Sequence, residues 1–174
     1  YPHRNIYVDP NMVFLSIKNQ KRVALDKQKL IKIYNKSNQV PYSNDYFIYP
    51  VNTFITSEFG INRLFNEKKK SVHFGIDFAG NSSDLISAAL NGRVVFSSEL
   101  FYTGKTIIID HGIGLFTLYG HLSKYLKHVG DIVKQGEKIG AIGSTGRVTG
   151  PHLHWGTIVH GLWSDGNSLI SPLK

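Results

Sequence analysis

Pro151-His152-Leu153-His154-Trp155 alternates polar and apolar side chains with the period of a β-strand. That period puts His152 and His154 on one face, with Leu153 and Trp155 on the other as core. Two imidazoles converging on one face suggest a metal. One strand cannot complete the site, because zinc takes about four ligands in a tetrahedron, at roughly 2.0 to 2.2 Å for nitrogen and oxygen. The candidates for further ligands are the ends of His73-Phe74-Gly75-Ile76-Asp77. On a straight strand residues four apart lie about 13 Å from each other and could not share an ion. A helix would bring them together, but Ser71 to Ala79 is a poor helical stretch. The expected solution is a bend at Gly75, since glycine accepts unusual backbone angles.

Outward from these stretches, the chain after Pro50 is a succession of short β-prone runs: Thr53 to Ser57, Val72 to Phe78, Val94 to Ser97, Thr106 to Asp110, Leu115 to Tyr119, Lys138 to Ile142 and His152 to Val159. Asn91-Gly92, His111-Gly112, Gly130-Asp131 and Gln135-Gly136 read as turns between them. Turn signals every 8 to 12 residues or so point to a mainly antiparallel β sandwich or barrel with little helix. Ser83 to Ala89 reads equally as a short helical turn or a buried strand.

Upstream, Ser16 to Tyr34 lacks Gly and Pro, and Val23, Leu30, Ile31 and Tyr34 fall near one helical face among Lys21, Arg22, Lys29 and Lys32. This predicts a cationic amphipathic helix, either a surface-binding arm or a helix packed by its apolar stripe onto the main domain. Residues 1–16 read as a remnant of something larger and 35–45, with Pro41, as a linker. The expected organisation is a 1–45 helical segment and linker followed by a 46–174 main domain.

The chain has 174 residues, 41% of them apolar and 18% charged, which fits one good-sized globular domain with an appendage. Its net charge of +8 favours polyanions or simply keeps the protein in solution. No zinc-finger or RNA-binding signature points to nucleic acid. Cysteine is absent, so a metal must be held by histidine and carboxylate. No run approaches the 18 or so apolar residues of a transmembrane helix. A start at Tyr1 without Met or leader predicts a trimmed N-terminus. Val129 to Gly140 is similar to the hairpin of biotinyl and lipoyl carrier domains, but the following Ala141-Ile142-Gly143-Ser144-Thr145-Gly146 lacks the modifiable lysine.

His73-x-x-x-Asp77, Tyr119-Gly120-His121-Leu122-Ser123 and Gly146-Arg147-Val148-Thr149-Gly150-Pro151-His152-Leu153-His154 occur in the order of the lysostaphin-like, or LytM-like, zinc metallopeptidases of bacterial cell walls. The resemblance covers roughly Tyr46 to Lys174. Ser57-Glu58-Phe59-Gly60, Asn91-Gly92-Arg93-Val94 and Ile109-Asp110-His111-Gly112 look like the framework of that family. It implies an antiparallel β groove domain of the duplicated hybrid motif type. It implies one Zn2+ held by His73, Asp77 and His154, with water in the fourth position, and His121 and His152 as the catalytic pair. Zinc would lower the pKa of a bound water to about 7 and polarise a scissile carbonyl. Imidazole ligands also suit other transition metals. Arg63 and Arg147 are candidates for binding a substrate carboxylate, whereas His3, His111, His128 and His160 read as surface or core.

The function the resemblance implies is zinc-dependent hydrolysis of peptide bonds in the peptidoglycan stem or cross-link, as a D,D-endopeptidase or carboxypeptidase, in the periplasm or outer envelope. The alternative is a non-catalytic envelope module that binds peptidoglycan or activates a partner hydrolase. The resemblance also implies that an upstream segment can lie in the groove and keep the enzyme latent, and the segment before Tyr46 is placed to do so.

Overall fold

Ser16 opens the helix α1 (Ile17–Tyr34) by accepting the Asn19 N–H on its hydroxyl at 3.3 Å, and Lys32 sits in the last turn, where a cation suits the helix dipole. The computed structural model describes residues 3–170. Tyr1, Pro2 and the last four residues of the expected 46–174 domain lie outside the described residues. The strands are β1 (His3–Ile6), β2 (Ile55–Ser57), β3 (Asn62–Phe65), β4 (Lys69–Val72), β5 (Ile76–Ala79), β6 (Leu85–Ser87), β7 (Gly92–Leu100), β8 (Gly104–Gly112), β9 (Leu115–Tyr125), β10 (Ile132–Val133), β11 (Lys138–Ile142), β12 (His152–Val159) and β13 (Leu162–Ser164). Among the described residues no helix is long and apolar enough to cross a membrane.

The molecule is mainly β, as the turn spacing predicts. One large antiparallel sheet runs β10-β7-β8-β9-β12-β5-β2, with β11 on β9 and β6, and β13 on β12. Period-2 alternation divides its two faces. Ile107, Ile109, Tyr119, Leu153 and Trp155 enter the main core with Phe47, Phe78 and Ile86. Ile108, Phe116, Leu118 and Ile158 point the other way and are covered by Leu30, Ile33 and Tyr34 of α1 together with Trp163. The helix is therefore packed onto the domain by its apolar stripe, although Ile31, expected on that stripe, is exposed. Asp26 fastens the middle of α1 by accepting the Phe101 N–H at 2.8 Å.

Three features add to this outline. The run from Val72 to Phe78 is not one strand: β4 and β5 lie on either side of the bend at Gly75. β3 and β4 form a hairpin in a second, three-stranded sheet, and β1, expected to be part of a remnant, pairs with β3 in parallel. Residues 35–45 run along the β8–β9 turn: Ser37 Oγ and the Asn38 N–H both donate to the Asp110 carboxylate, at 2.7 and 2.8 Å, and Tyr42 N–H donates to the His111 carbonyl. Ser83 to Ala89 resolves as the short strand β6.

Candidate active site

The register of β12 assembles the site. His154 stands opposite Asp77 of β5 on one side and Gly120 of β9 on the other. His152 and His154 share a face, and Leu153 and Trp155 are buried behind them, as the alternation predicts. His73 lies just before the bend, and the turn folds it back over Asp77 until His73 Nε2 is 3.0 Å from Asp77 Oδ1. The bend is present, but the reason for glycine is space. A Cβ on Gly75 would lie 2.5 Å from His154 Cε1 and 2.8 Å from the Trp155 carbonyl oxygen.

His121 reaches the same face by breaking the alternation. Leu118 lies on the α1 face of β9 and Tyr119 in the main core, so strict alternation would send His121 to the core and Leu122 outward. Instead His121 adopts φ +63°, the β8–β9 register shifts there, and Leu122 enters the main core. This is a β-bulge that re-aims one side chain, with a left-handed backbone that costs a non-glycine residue about 1 kcal/mol or more. The His121 N–H donates to the Thr103 carbonyl at 2.6 Å, which fixes the bulge.

Three donor atoms close a small triangle: His73 Nε2 to Asp77 Oδ1 is 3.0 Å, His73 Nε2 to His154 Nδ1 is 3.1 Å and His154 Nδ1 to Asp77 Oδ1 is 2.9 Å. A tetrahedral ion with bonds near 2.05 Å would place its ligand atoms about 3.3 Å apart, so the donor set fits one metal with little movement. Charge makes the same case. His73 Nδ1–H donates to the Glu58 carbonyl at 2.8 Å, which leaves Nε2 bare in the neutral ring. The bare His73 nitrogen and the carboxylate oxygen aimed at it repel one another unless a cation lies between them.

Beside this triangle stand His121 and His152, with ring centres 4.7 Å apart. Each spends its Nδ1–H on a backbone carbonyl, His121 on Thr145 at 2.8 Å and His152 on Gly150 at 2.9 Å. Nε2 of each ring is thus left as the basic atom. Burial, joined by the neighbouring His152 and His154, pushes the His121 pKa well down, and burial lowers His152 as well. Both are neutral at pH 7.

The two arginines separate. Arg63 Nη2 is bonded to Asp77 Oδ2 and, at 2.9 Å, to Ser57 Oγ, so it faces the ligand set. Arg147 lies in the cleft wall against the rings of Phe65 and Tyr102. His111 is buried core, His128 and His160 are exposed, and the side chain of His3 lies outside the described residues. Sequence reasoning missed the Glu58, Thr145 and Gly150 carbonyls that set the tautomers, because a main-chain acceptor carries no residue signature. The cleft, about 1470 Å³, is walled on one side by Arg4 to Tyr7 of the N-terminal segment and by Val23, Lys27 and Leu30 of α1.

The chain is similar in sequence and in fold to known proteins. The peptidoglycan DD-endopeptidase ShyA of Vibrio cholerae is 41% identical over 116 residues, 65% of this chain and 27% of that protein. The chain thus spans about a quarter of the length of the curated relatives it matches. A solved structure described as a candidate M23 peptidase from Pseudomonas aeruginosa superposes with a TM-score of 0.78 at 29% identity, over 91% of this chain and 65% of that one. A zinc-containing peptidase from Vibrio cholerae superposes with a TM-score of 0.67 at 33% identity, over 75% of this chain and 41% of that one. The model of peptidase family M23 matches residues 71–166, a span that holds His73, Asp77, His121, His152 and His154 together. On that match, and with a site of this geometry, the chain belongs to peptidase family M23.

Proposed function

We propose that this chain is the catalytic domain of a zinc-dependent peptidoglycan hydrolase of the bacterial cell envelope. It would cleave peptide bonds of the stem or cross-link as a D,D-endopeptidase, a carboxypeptidase or both. The observation that carries the reading is the convergence of His73 Nε2, Asp77 Oδ1 and His154 Nδ1 within 3.1 Å, with His121 and His152 alongside. Two imidazoles and one carboxylate, with room for a further ligand, are the donor set of a catalytic zinc site. The zinc-containing relative from Vibrio cholerae supports the choice of metal, and the name of ShyA supports the choice of substrate.

Bound there, zinc supplies Lewis acidity toward the scissile carbonyl and acidifies a water. The chain's own residues supply the rest. His121 and His152 are neutral and present Nε2, so the pair accepts the proton of the attacking water. Once protonated it donates a hydrogen bond to the tetrahedral oxyanion and then passes that proton to the leaving amine. Arg63 holds the outer oxygen of Asp77, so that the inner one stays with the histidines.

His121→Ala tests the reading. Hydrolysis of purified peptidoglycan should fall by about 100-fold or more, with zinc content and melting temperature held. Cleavage at the wild-type rate would contradict the role of His121, whereas unchanged wall-dependent function in the variant without cleavage would favour a binding or activating module.

The position of β1 and α1 as one wall of the cleft supports a second proposal, that the upstream segment limits access to the site. A chain beginning near Tyr46, checked for folding, should then cleave faster than the longer one. Equal rates would sink this idea.

A further inference from the structure

Three arginines line the cleft, and two of them are employed: Arg4 Nη1 donates to the Thr56 carbonyl at 2.8 Å. Arg63 is spent on Asp77 and Ser57. Arg147 packs against the Phe65 and Tyr102 rings, its Cζ 4.0 and 4.2 Å from their centres. Cation–π contact with the rings uses none of the guanidinium N–H donors. Among the described residues no carboxylate pairs with Arg147, and none of its side-chain nitrogens is a buried atom without a partner, so those donors open to the cleft.

The loop that carries it is locked. Arg147 N–H donates to the Tyr102 carbonyl at 2.8 Å, and Gly146 stands at φ +78° where a Cβ would come within 2.4 Å of Gly104 N. The ring contacts therefore hold the guanidinium donors in a fixed place. Burial and the nearby Arg63 both disfavour the charged state of Arg147, opposed by Tyr102, so an anion arriving in the cleft relieves an existing cost.

We infer that Arg147 is a specificity residue that reads a free carboxylate of the peptide substrate through a bidentate pair, with Phe65 and Tyr102 as the clamp that orients it. The inference rests on the peptidase reading and names what its substrate must carry: a carboxylate near the scissile bond. Such a carboxylate is either the α-carboxylate at a peptide C-terminus or a side-chain carboxylate. A neutral, fully amidated peptide lacks both.

The test uses the zinc-loaded chain and synthetic muropeptides that differ only in having one carboxylate or its carboxamide, with each of the two positions amidated in turn. Wild type should favour one carboxylate over its amide by roughly 10-fold or more in kcat/KM, the scale of a charge-assisted hydrogen bond. The preference should lie mainly in KM. In Arg147→Gln it should vanish, and in Arg147→Lys, which keeps the charge without the fork, it should fall part of the way. Melting temperature and zinc content show whether each variant is folded and loaded. Indifference of wild type to amidation at both positions, or a preference that survives in Arg147→Gln, would overturn the inference. Cleavage of neither peptide would count against the peptidase reading instead. The binding constants of the same peptides, measured by calorimetry, would then decide the role of Arg147, equal constants for acid and amide overturning it.

Discussion

Arg63 and Asp77 divide one carboxylate between them: Arg63 Nη2 binds Oδ2, while Oδ1 stays 3.0 Å from His73 Nε2 and 2.9 Å from His154 Nδ1. Without that contact the carboxylate is free to rotate away from the imidazoles. Partners of this kind typically set metal affinity by 10- to 100-fold. Arg63→Ala should therefore weaken zinc binding by about that factor, read by titration against a competing chelator. Unchanged affinity would mean that Asp77 is held by the β5–β12 register alone.

Gly75 makes room for the His154 ring. A Cβ there would meet Cε1 at 2.5 Å and the Trp155 carbonyl oxygen at 2.8 Å, and the latter is backbone that cannot easily yield. Gly75→Ala should cost about 1–3 kcal/mol, as overpacking does, and should lower the zinc content of the purified protein. A variant with the wild-type melting temperature and full zinc occupancy would contradict this.

The strand faces of the site were legible because β12 keeps a strict period of two: His152 and His154 on one side, Leu153 and Trp155 on the other. Gly130 and Gly136, quoted as turn signals, do take positive φ, +103° and +80°. Other features left no such mark. The β3–β4 hairpin turns at Asn66-Glu67, with φ +48° and +60°, where the usual signal would be Asn-Gly, so its glycine cue is missing. The face of His121 follows from a bulge, and a bulge inverts any count of alternation beyond it. The task of Arg63 depends on β3 passing beside β5, a tertiary contact that its neighbours in sequence do not encode.

His111 provides a pH signature separate from the metal site. Its Nδ1–H donates to the Asn91 carbonyl at 2.8 Å, its Nε2 lies 2.7 Å from Thr117 Oγ1, and the Phe47 ring packs on it. Burial lowers its pKa to about 4 against 6.5 for the free side chain, despite the opposing Asn91 bond and Asp110 charge. Between those values the unfolded chain binds the proton and the folded one does not. The stabilisation is thus complete above pH 6.5 and is lost as pH falls toward 4, up to about 3 kcal/mol in all. In urea unfolding, His111→Gln should flatten the decline between pH 6.5 and 4 relative to wild type. Parallel curves would contradict a buried neutral imidazole.

Asp26 joins the helix to the sheet. It is 8% exposed and accepts the Phe101 N–H at 2.8 Å, so Asp26→Ala leaves a buried donor without a partner. The expected loss is about 1–3 kcal/mol in chemical denaturation. A change below a few tenths would mean that Leu30, Ile33 and Tyr34 hold α1 unaided.

If His73, Asp77 and His154 hold a zinc ion that cuts peptidoglycan peptides, activity must follow the metal. The most direct measurement is digestion of chemically defined muropeptides by the chain as purified, after chelation, and after zinc is restored, with products identified by mass spectrometry. Cleavage that disappears with the metal and returns with it is expected, and the product masses would name the bond. Cleavage that persists after the metal is gone, or its absence from a folded, zinc-loaded chain with an open cleft, would contradict this.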